Sequence, residues 1–419
     1  MSSPPAPRPR LFRGWLVVAA AFTVMFLEFG SAYTFSAFLA PLEREFAASR
    51  GSVSLVFSLA GFLYFGLGIV SGPLADRFGA RRFAVLGMAL TGAGLALAAA
   101  TRSLPQVYAA YGLGVGLGVG ASYVPAIAAV QRWFVRRRGV ASGLAVSGIG
   151  VGTLVMPPLA SPLIEALGWR GAYLVLGALV AVAGVAMALQ IDSDPAARGL
   201  APDGDPPSPS PAAASAAASA GSGDRAPPPG TPLGAAIRSR TFLGLYAGCL
   251  ICAFGVFVPF VHLVPYAVDH GIARSSAALL LSTIGIGSTA GRFALGGIAD
   301  RFGRHRTLVL MFAGMAASLT TWAVSTTLWP LLGFALAYGV FYGGFVAVVP
   351  ALVMDYFGSR YISSTIGALY TSVAFGSLIG PSAAGFAYDL RHSYTLPILA
   401  SAGAALAAAA IVAGVARPR

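Results

Sequence analysis

The chain has 419 residues, of which 57% are hydrophobic and only 10% charged. That balance excludes a soluble globule, whose surface is normally rich in Asp, Glu, Lys and Arg, and leaves lipid as the solvent. A formal net charge of +13 does not point to nucleic acid, because the basic residues, all arginine, are scattered in short groups between apolar runs without a basic domain.

Arg8, Arg10 and Arg13 precede an apolar run over 15–38 that is longer than a signal-peptide core and lacks a convincing cleavage site, so it reads as a first span. Crossing the hydrocarbon core takes roughly 20 apolar residues. Stretches of that kind lie near 14–38, 53–75, 83–101, 105–131, 139–163 and 171–190. A second set lies near 241–268, 275–298, 306–327, 330–354, 361–385 and 394–415. The expected fold class is therefore an all-α membrane protein with twelve transmembrane helices in two pseudo-symmetric six-helix bundles. Between the sets, residues 192–232 are dominated by Asp, Pro, Ala, Ser and Gly and cannot bury enough apolar surface to order themselves. The chain thus divides into a bundle at 1–191, a flexible linker at 192–238 and a second bundle at 239–419.

Assigning alternate loops to opposite sides puts 20 arginines on one side and only Arg44, Arg50, Arg102, Arg170, Arg274 and Arg391 on the other. The positive-inside rule makes both termini and the linker cytoplasmic, which requires an even number of spans. Cys249 and Cys252 form a C-x-x-C inside an apolar run, where small-residue packing is the expected role. The glycines at 112, 114, 116, 118 and 120 have helix-packing spacing and no preceding strand, so no phosphate site is expected. No cluster has metal-ligand spacing and no catalytic triad or carboxylate pair stands out, so neither a metal, a cofactor nor an enzyme activity is expected.

An internal repeat carries the most information. Gly72-Pro-Leu-Ala-Asp76-Arg77-Phe-Gly79-Ala-Arg81-Arg82 recurs as Gly297-Ile-Ala-Asp300-Arg301-Phe-Gly303-Arg304-His-Arg306, with the two aspartates 224 positions apart. Val124-Pro125-Ala126 recurs as Val349-Pro350-Ala351. Two parallel halves are encoded, each with an acidic-basic turn after its second helix. That turn resembles the signature loop of the major facilitator superfamily of transporters. The resemblance implies a gate on the cytoplasmic side built from Asp76, Arg77, Asp300 and Arg301; alternatively, these residues only set topology and turn geometry. Arg13-Gly14-Trp15, the run Gln131 to Gly139 with its Arg136-Arg137-Arg138, and His262-Leu-Val-Pro-Tyr266 resemble the branch of oxalate/formate antiporters and monocarboxylate transporters.

Charge is nearly absent from the spans, which makes the exceptions informative. Arg292 lies deep in the eighth span, where a central Arg costs about 2.5–3.5 kcal/mol on insertion scales, so it should face a cavity or a partner. Its planar fork can hold a carboxylate through two nitrogens. In the monocarboxylate branch an Arg in this region binds the substrate carboxylate, and the resemblance extends that role to Arg292; a structural ion pair is the other reading. Where mammalian relatives place an Asp four residues earlier, this chain has Ser288. Tyr33 and Val373 fall where relatives carry Lys. One buried cation suits one carboxylate better than two.

Glu28 is the carboxylate nearest the middle of a span and could exchange a proton, pair with Arg292, or stay neutral against backbone. Tyr33, Tyr123, Tyr342, Tyr370 and His262 are candidate contacts to a small carboxylate, since transporter sites form near the midplane between repeats. Helix packing explains each of them equally well. His262, between Pro259 and Pro265, is also a candidate proton relay. The expected function is secondary active transport of a small monocarboxylate, lactate- or pyruvate-like, by proton symport. Partners would be the carboxylate, protons and the lipid bilayer, with no nucleic acid. The chain would act as a monomer in the cell (inner) membrane. An oxalate/formate-type exchanger is the nearest alternative, and a membrane carboxylate sensor a distant one.

Overall fold

A computed structural model of the protein describes residues 12–135, 137–204, 231–358 and 361–415. Helix α1 runs Arg13–Phe46 with a break at Thr34, and α2 runs Arg50–Gly66, then bends by 43° at Leu67 into Gly68–Phe78. Next come α3 at Ala80–Ala99 and α4 at Leu104–Trp133, followed by α5 and α6 at 138–167 and 169–188, which Gly168 separates. The second half contains α7 at Arg240–Asp269, α8 at Arg274–Phe302 and α9 at Arg304–Ala323. It closes with α10 at Leu328–Phe357, α11 at Ile362–Arg391 and α12 at Thr395–Ala413.

Among the described residues, nine helical stretches are long and apolar enough to cross a bilayer, and the bent α2 makes a tenth. Gly168 divides one of the nine into α5 and α6, and α9, which opens on Arg304, His305 and Arg306, completes the twelve. A helix satisfies its backbone polar groups within its own segment, as lipid requires, which is why the apolar pattern locates the spans so well.

The repeat is visible in the backbone. Gly79 and Gly303 end α2 and α8 at φ 95° and 91°, where each amide donates back to the carbonyl of Ala75 or Ala299. A residue with a Cβ resists that conformation, so the glycine of the motif stops one helix and starts the next. The breaks in α1 and α7 also correspond. The Thr34 hydroxyl donates to the Gly30 carbonyl at 2.6 Å, while Phe257 precedes Pro259, which has no amide to give the helix.

Helix α1 extends past the span expected at 14–38 and carries Glu43, Arg44 and Glu45 on helix rather than loop. The stretch expected to be a flexible linker also begins with fixed structure. Asp192, its side chain 8% exposed, accepts Arg13 Nε at 2.8 Å and Arg198 Nε at 2.6 Å and is also paired with Arg81. Trp133 donates to the Asp192 carbonyl at 2.8 Å. Charge pairing tethers this segment where apolar burial could not; residues 205–230 lie outside the described residues.

The halves meet along two helix pairs, α2 with α11 and α5 with α8, and through the later segments of α1 and α7. A Cβ on Gly285 of α8 would sit 2.5 Å from the Leu154 amide and 2.6 Å from the Gly150 carbonyl of α5, so these backbones touch. At the end formed by the α1–α2, α7–α8 and α11–α12 turns, Arg50 pairs with Asp269 of the opposite half. At the arginine-rich end the described ion pairs, Asp192 with its arginines and Arg304 with Asp355, stay within one half. Of these ion pairs, the one that joins the two halves is therefore at the first end.

Candidate functional site

Between the halves lies a narrow cavity of about 30 Å³. Aromatic rings from both sides form most of its wall: Phe29 and Tyr33 of α1, Phe65 of α2 and Tyr123 of α4, facing Phe257 of α7, Tyr342 and Phe345 of α10 and Tyr370 of α11. Ile149, Val346, Val349 and Val373 fill the gaps. The helix breaks help to build this wall, since Tyr33 and Phe257 stand at the residues where α1 and α7 bend. Tyr33 and Tyr342 share a hydroxyl-hydroxyl hydrogen bond of 3.0 Å across the seam. All four tyrosines singled out in the sequence therefore meet in one place.

Arg292 stands beside them on α8, 6% exposed, within electrostatic reach of Tyr342, Tyr123, Tyr33 and Tyr370. Its Nη1 donates to the Val146 carbonyl of α5 at 2.9 Å, a bond between the halves. Nε and Nη2 are buried and have no hydrogen-bond partner, and no carboxylate pairs with the side chain among the described residues. One turn earlier, Ser288 Oγ is also buried without a partner. A buried donor left unmatched costs stability, most of all on a charged group, so these atoms mark a place for an incoming acceptor. Sequence reasoning treated Ser288 only as a missing carboxylate and passed over its free hydroxyl.

Glu28 is fully buried inside the first half. One of its oxygens accepts from Ser122 Oγ of α4, the other has no partner, and Arg292 does not pair with it. It does not line the cavity, although its neighbour Phe29 does.

His262 lies apart from these residues, toward the closed end. Its Nε2 lies 2.8 Å from the Pro381 carbonyl and its Nδ1 3.0 Å from the Tyr394 hydroxyl. A carbonyl only accepts, so Nε2 carries the hydrogen, and both ring nitrogens are engaged. Tyr394 in turn accepts from Arg50 Nη1 at 3.0 Å, a link that sequence alone did not suggest. Arg77 and Arg301 are exposed at the arginine-rich end; the side chains of Asp76 and Asp300 lie outside the described residues. No group of His, Cys, Asp or Glu could hold a metal ion among the described residues.

Comparison with known proteins accords with this architecture. The pattern of the Major Facilitator Superfamily matches residues 21–269 and 243–419. Monocarboxylate transporter 12-B of Danio rerio is 30% identical, over 96% of this chain and 87% of that one. Monocarboxylate transporter 11 of Mus musculus is also 30% identical, over 100% and 90% of the two chains. In fold, the chain resembles a bacterial homologue of the human lysosomal transporter Spinster, solved in an inward-facing and unoccupied conformation. The TM-score is 0.66 at 16% identity, covering 97% of this chain and 96% of that one.

Proposed function

This chain belongs to the Major Facilitator Superfamily and, within it, to the monocarboxylate transporter family, and from that premise we propose that it moves small monocarboxylates, lactate- or pyruvate-like, together with a proton by alternating access. The observation that carries the cargo reading is the Arg292 guanidinium, buried with Nε and Nη2 unpartnered beside an aromatic cavity. Two carboxylate oxygens match those nitrogens, and the rings enclose a small apolar body. Because Nη1 already bridges to α5, a bound anion also changes how the two halves are joined at this level. Glu28 is the proposed proton site, being a carboxylate with a free oxygen next to the cavity wall. His262 is better read as a fixed element of the closed end than as a substrate contact, since both ring nitrogens are taken.

Arg77 and Arg301, with Asp76 and Asp300, are the proposed gate at the arginine-rich end. The positive-inside rule supports placing that end, with both termini, in the cytoplasm of a cell whose plasma (inner) membrane holds the protein as a monomer. In that orientation the chain is closed to the outside.

Uptake of labelled lactate into proteoliposomes under an imposed pH gradient tests the proposal. Gradient-driven accumulation is expected, with Arg292→Ala inactive and Glu28→Gln retaining exchange but not accumulation. Equal uptake with and without the gradient would remove proton coupling, and a requirement for internal carboxylate would favour the exchanger. Normal transport by Arg292→Ala would end the anchor assignment.

A further inference from the structure

Away from the cavity, the densest set of charged contacts between the halves converges on Arg50, the first residue of α2, whose side chain is 14% exposed. Its Nη1 and Nη2 donate to the two oxygens of Asp269 on α7 at 2.6 and 2.9 Å, and its Nε donates to Glu43 of α1 at 3.1 Å. Its guanidinium also lies 4.1 Å from the centroid of the Tyr388 ring. The backbone amides of Arg50 and Gly51 donate to the two oxygens of Asp389 on α11, each at 2.9 Å, so the start of α2 presents its positive end to a carboxylate of the other half. One residue thus gathers partners from α1, α7, α11 and the turn before α12.

Glu45 pairs with Arg170 at 2.7 Å, and the His270 ring bonds the Tyr266 carbonyl at 2.8 Å. Between this cluster and the cavity, Ser382 of α11 donates to Ser58 of α2 at 2.8 Å, and Ser36 of α1 donates to the Val261 carbonyl of α7 at 2.8 Å. Every layer from Arg50 down to Tyr33 and Tyr342 therefore joins the halves, and the route from this end to the cavity is shut.

We propose that Arg50 is the gating residue of this end: its fork on Asp269, with the α2 amides on Asp389, holds the mouth closed, and Glu43 retains the guanidinium when the halves part. Alternating access requires this end to open, and a charge pair is reversible only if neither partner is stranded. Glu43 belongs to the same half as Arg50, and the Tyr388 hydroxyl already donates to Asp269 at 3.2 Å within the opposite half. Opening therefore leaves Arg50 with Glu43 and Asp269 with the Tyr388 hydroxyl. The inference rests on the transporter family and on this end facing outward, and it does not depend on which carboxylate is carried.

The test uses full-length protein in right-side-out membrane vesicles, with Cys249→Ala and Cys252→Ala and a Ser58→Cys reporter in every arm. A membrane-impermeant methanethiosulfonate is applied from outside. Labelling should be slow in this parent and at least tenfold faster in Arg50→Gln and in Asp269→Asn. The double variant should be no faster than either single one, because both remove the same bond. Arg50→Lys, which keeps the charge but not the fork, should be intermediate and covers the case in which Arg50→Gln does not fold. Labelling at the parent rate in whichever of Arg50→Gln and Arg50→Lys folds would overturn the proposal, as would effects of Arg50→Gln and Asp269→Asn that simply multiply. Lactate uptake measured on the same vesicles keeps the two readings separate: its absence alongside the expected labelling pattern would sink the cargo and leave the latch.

Discussion

Lysine in place of Arg292 keeps the charge and loses the fork, so Arg292→Lys separates electrostatic attraction from bidentate recognition. Its apparent affinity for lactate should fall about tenfold, roughly 1.4 kcal/mol, in concentration-dependent uptake. Asp192 is a different kind of charged residue, with a structural task. Partial burial raises its carboxyl, but the hydrogen bonds from Arg13 and Arg198 and the charges of Arg81 and Arg198 outweigh that and leave it below the ordinary carboxylate range. A lowered folded value stabilises the protein at pH above the unfolded value of about 3.9, and the contribution is lost as pH falls through the folded value. Asp192→Asn should therefore melt roughly 2–4 °C below wild type at pH 7. In melts at pH 3 the difference should shrink, because acid removes the same negative charge.

Among the helices, the informative contact is α5 against α8. Here Gly150 and Gly285 let two backbones from opposite halves touch. In lipid the association of helices depends on close packing more than on the hydrophobic effect, so small residues decide how near they come. Gly285→Val would drive a branched side chain into the α5 backbone, which cannot move aside as a rotamer would. We expect a loss of about 1–3 kcal/mol in stability. Uptake should fall at least tenfold, since in the proposed alternating access this pair stays in contact while the ends of the halves open and close. Normal uptake at normal melting temperature would show that α5 and α8 separate readily. Breaks at Thr34 and Phe257 belong to the same scale: they turn Tyr33 and Phe257 into the cavity wall.

Taken whole, the molecule is two bundles joined near the middle by Arg292 and the Tyr33–Tyr342 pair, and at one end by Arg50. A ligand that completes Arg292 binds the folded protein alone and so raises its apparent stability. At a concentration one hundred times its dissociation constant the gain is about 2.7 kcal/mol. Thermal melts against short carboxylates should show that rise for lactate and pyruvate in wild type and no rise in Arg292→Ala. Oxalate should give little, because one guanidinium leaves its second carboxylate unmatched. A larger shift with oxalate than with lactate would reverse the choice of cargo.

The order of the spans, the doubling of the fold and the singular position of Arg292 were determined by the sequence itself, because lipid makes each apolar run and each buried charge conspicuous. Gly79 and Gly303 were legible for a similar reason: the repeat marks both turns. Only the tertiary structure decided that four tyrosines from α1, α4, α10 and α11 share a wall, that His262 serves Tyr394 and Pro381, and that Arg50 lies on Asp269, 219 positions away. Hydropathy fixes where a helix enters and leaves the bilayer, whereas its rotation, tilt and kinks are set by the helices packed against it. Those choices determine which side chains meet.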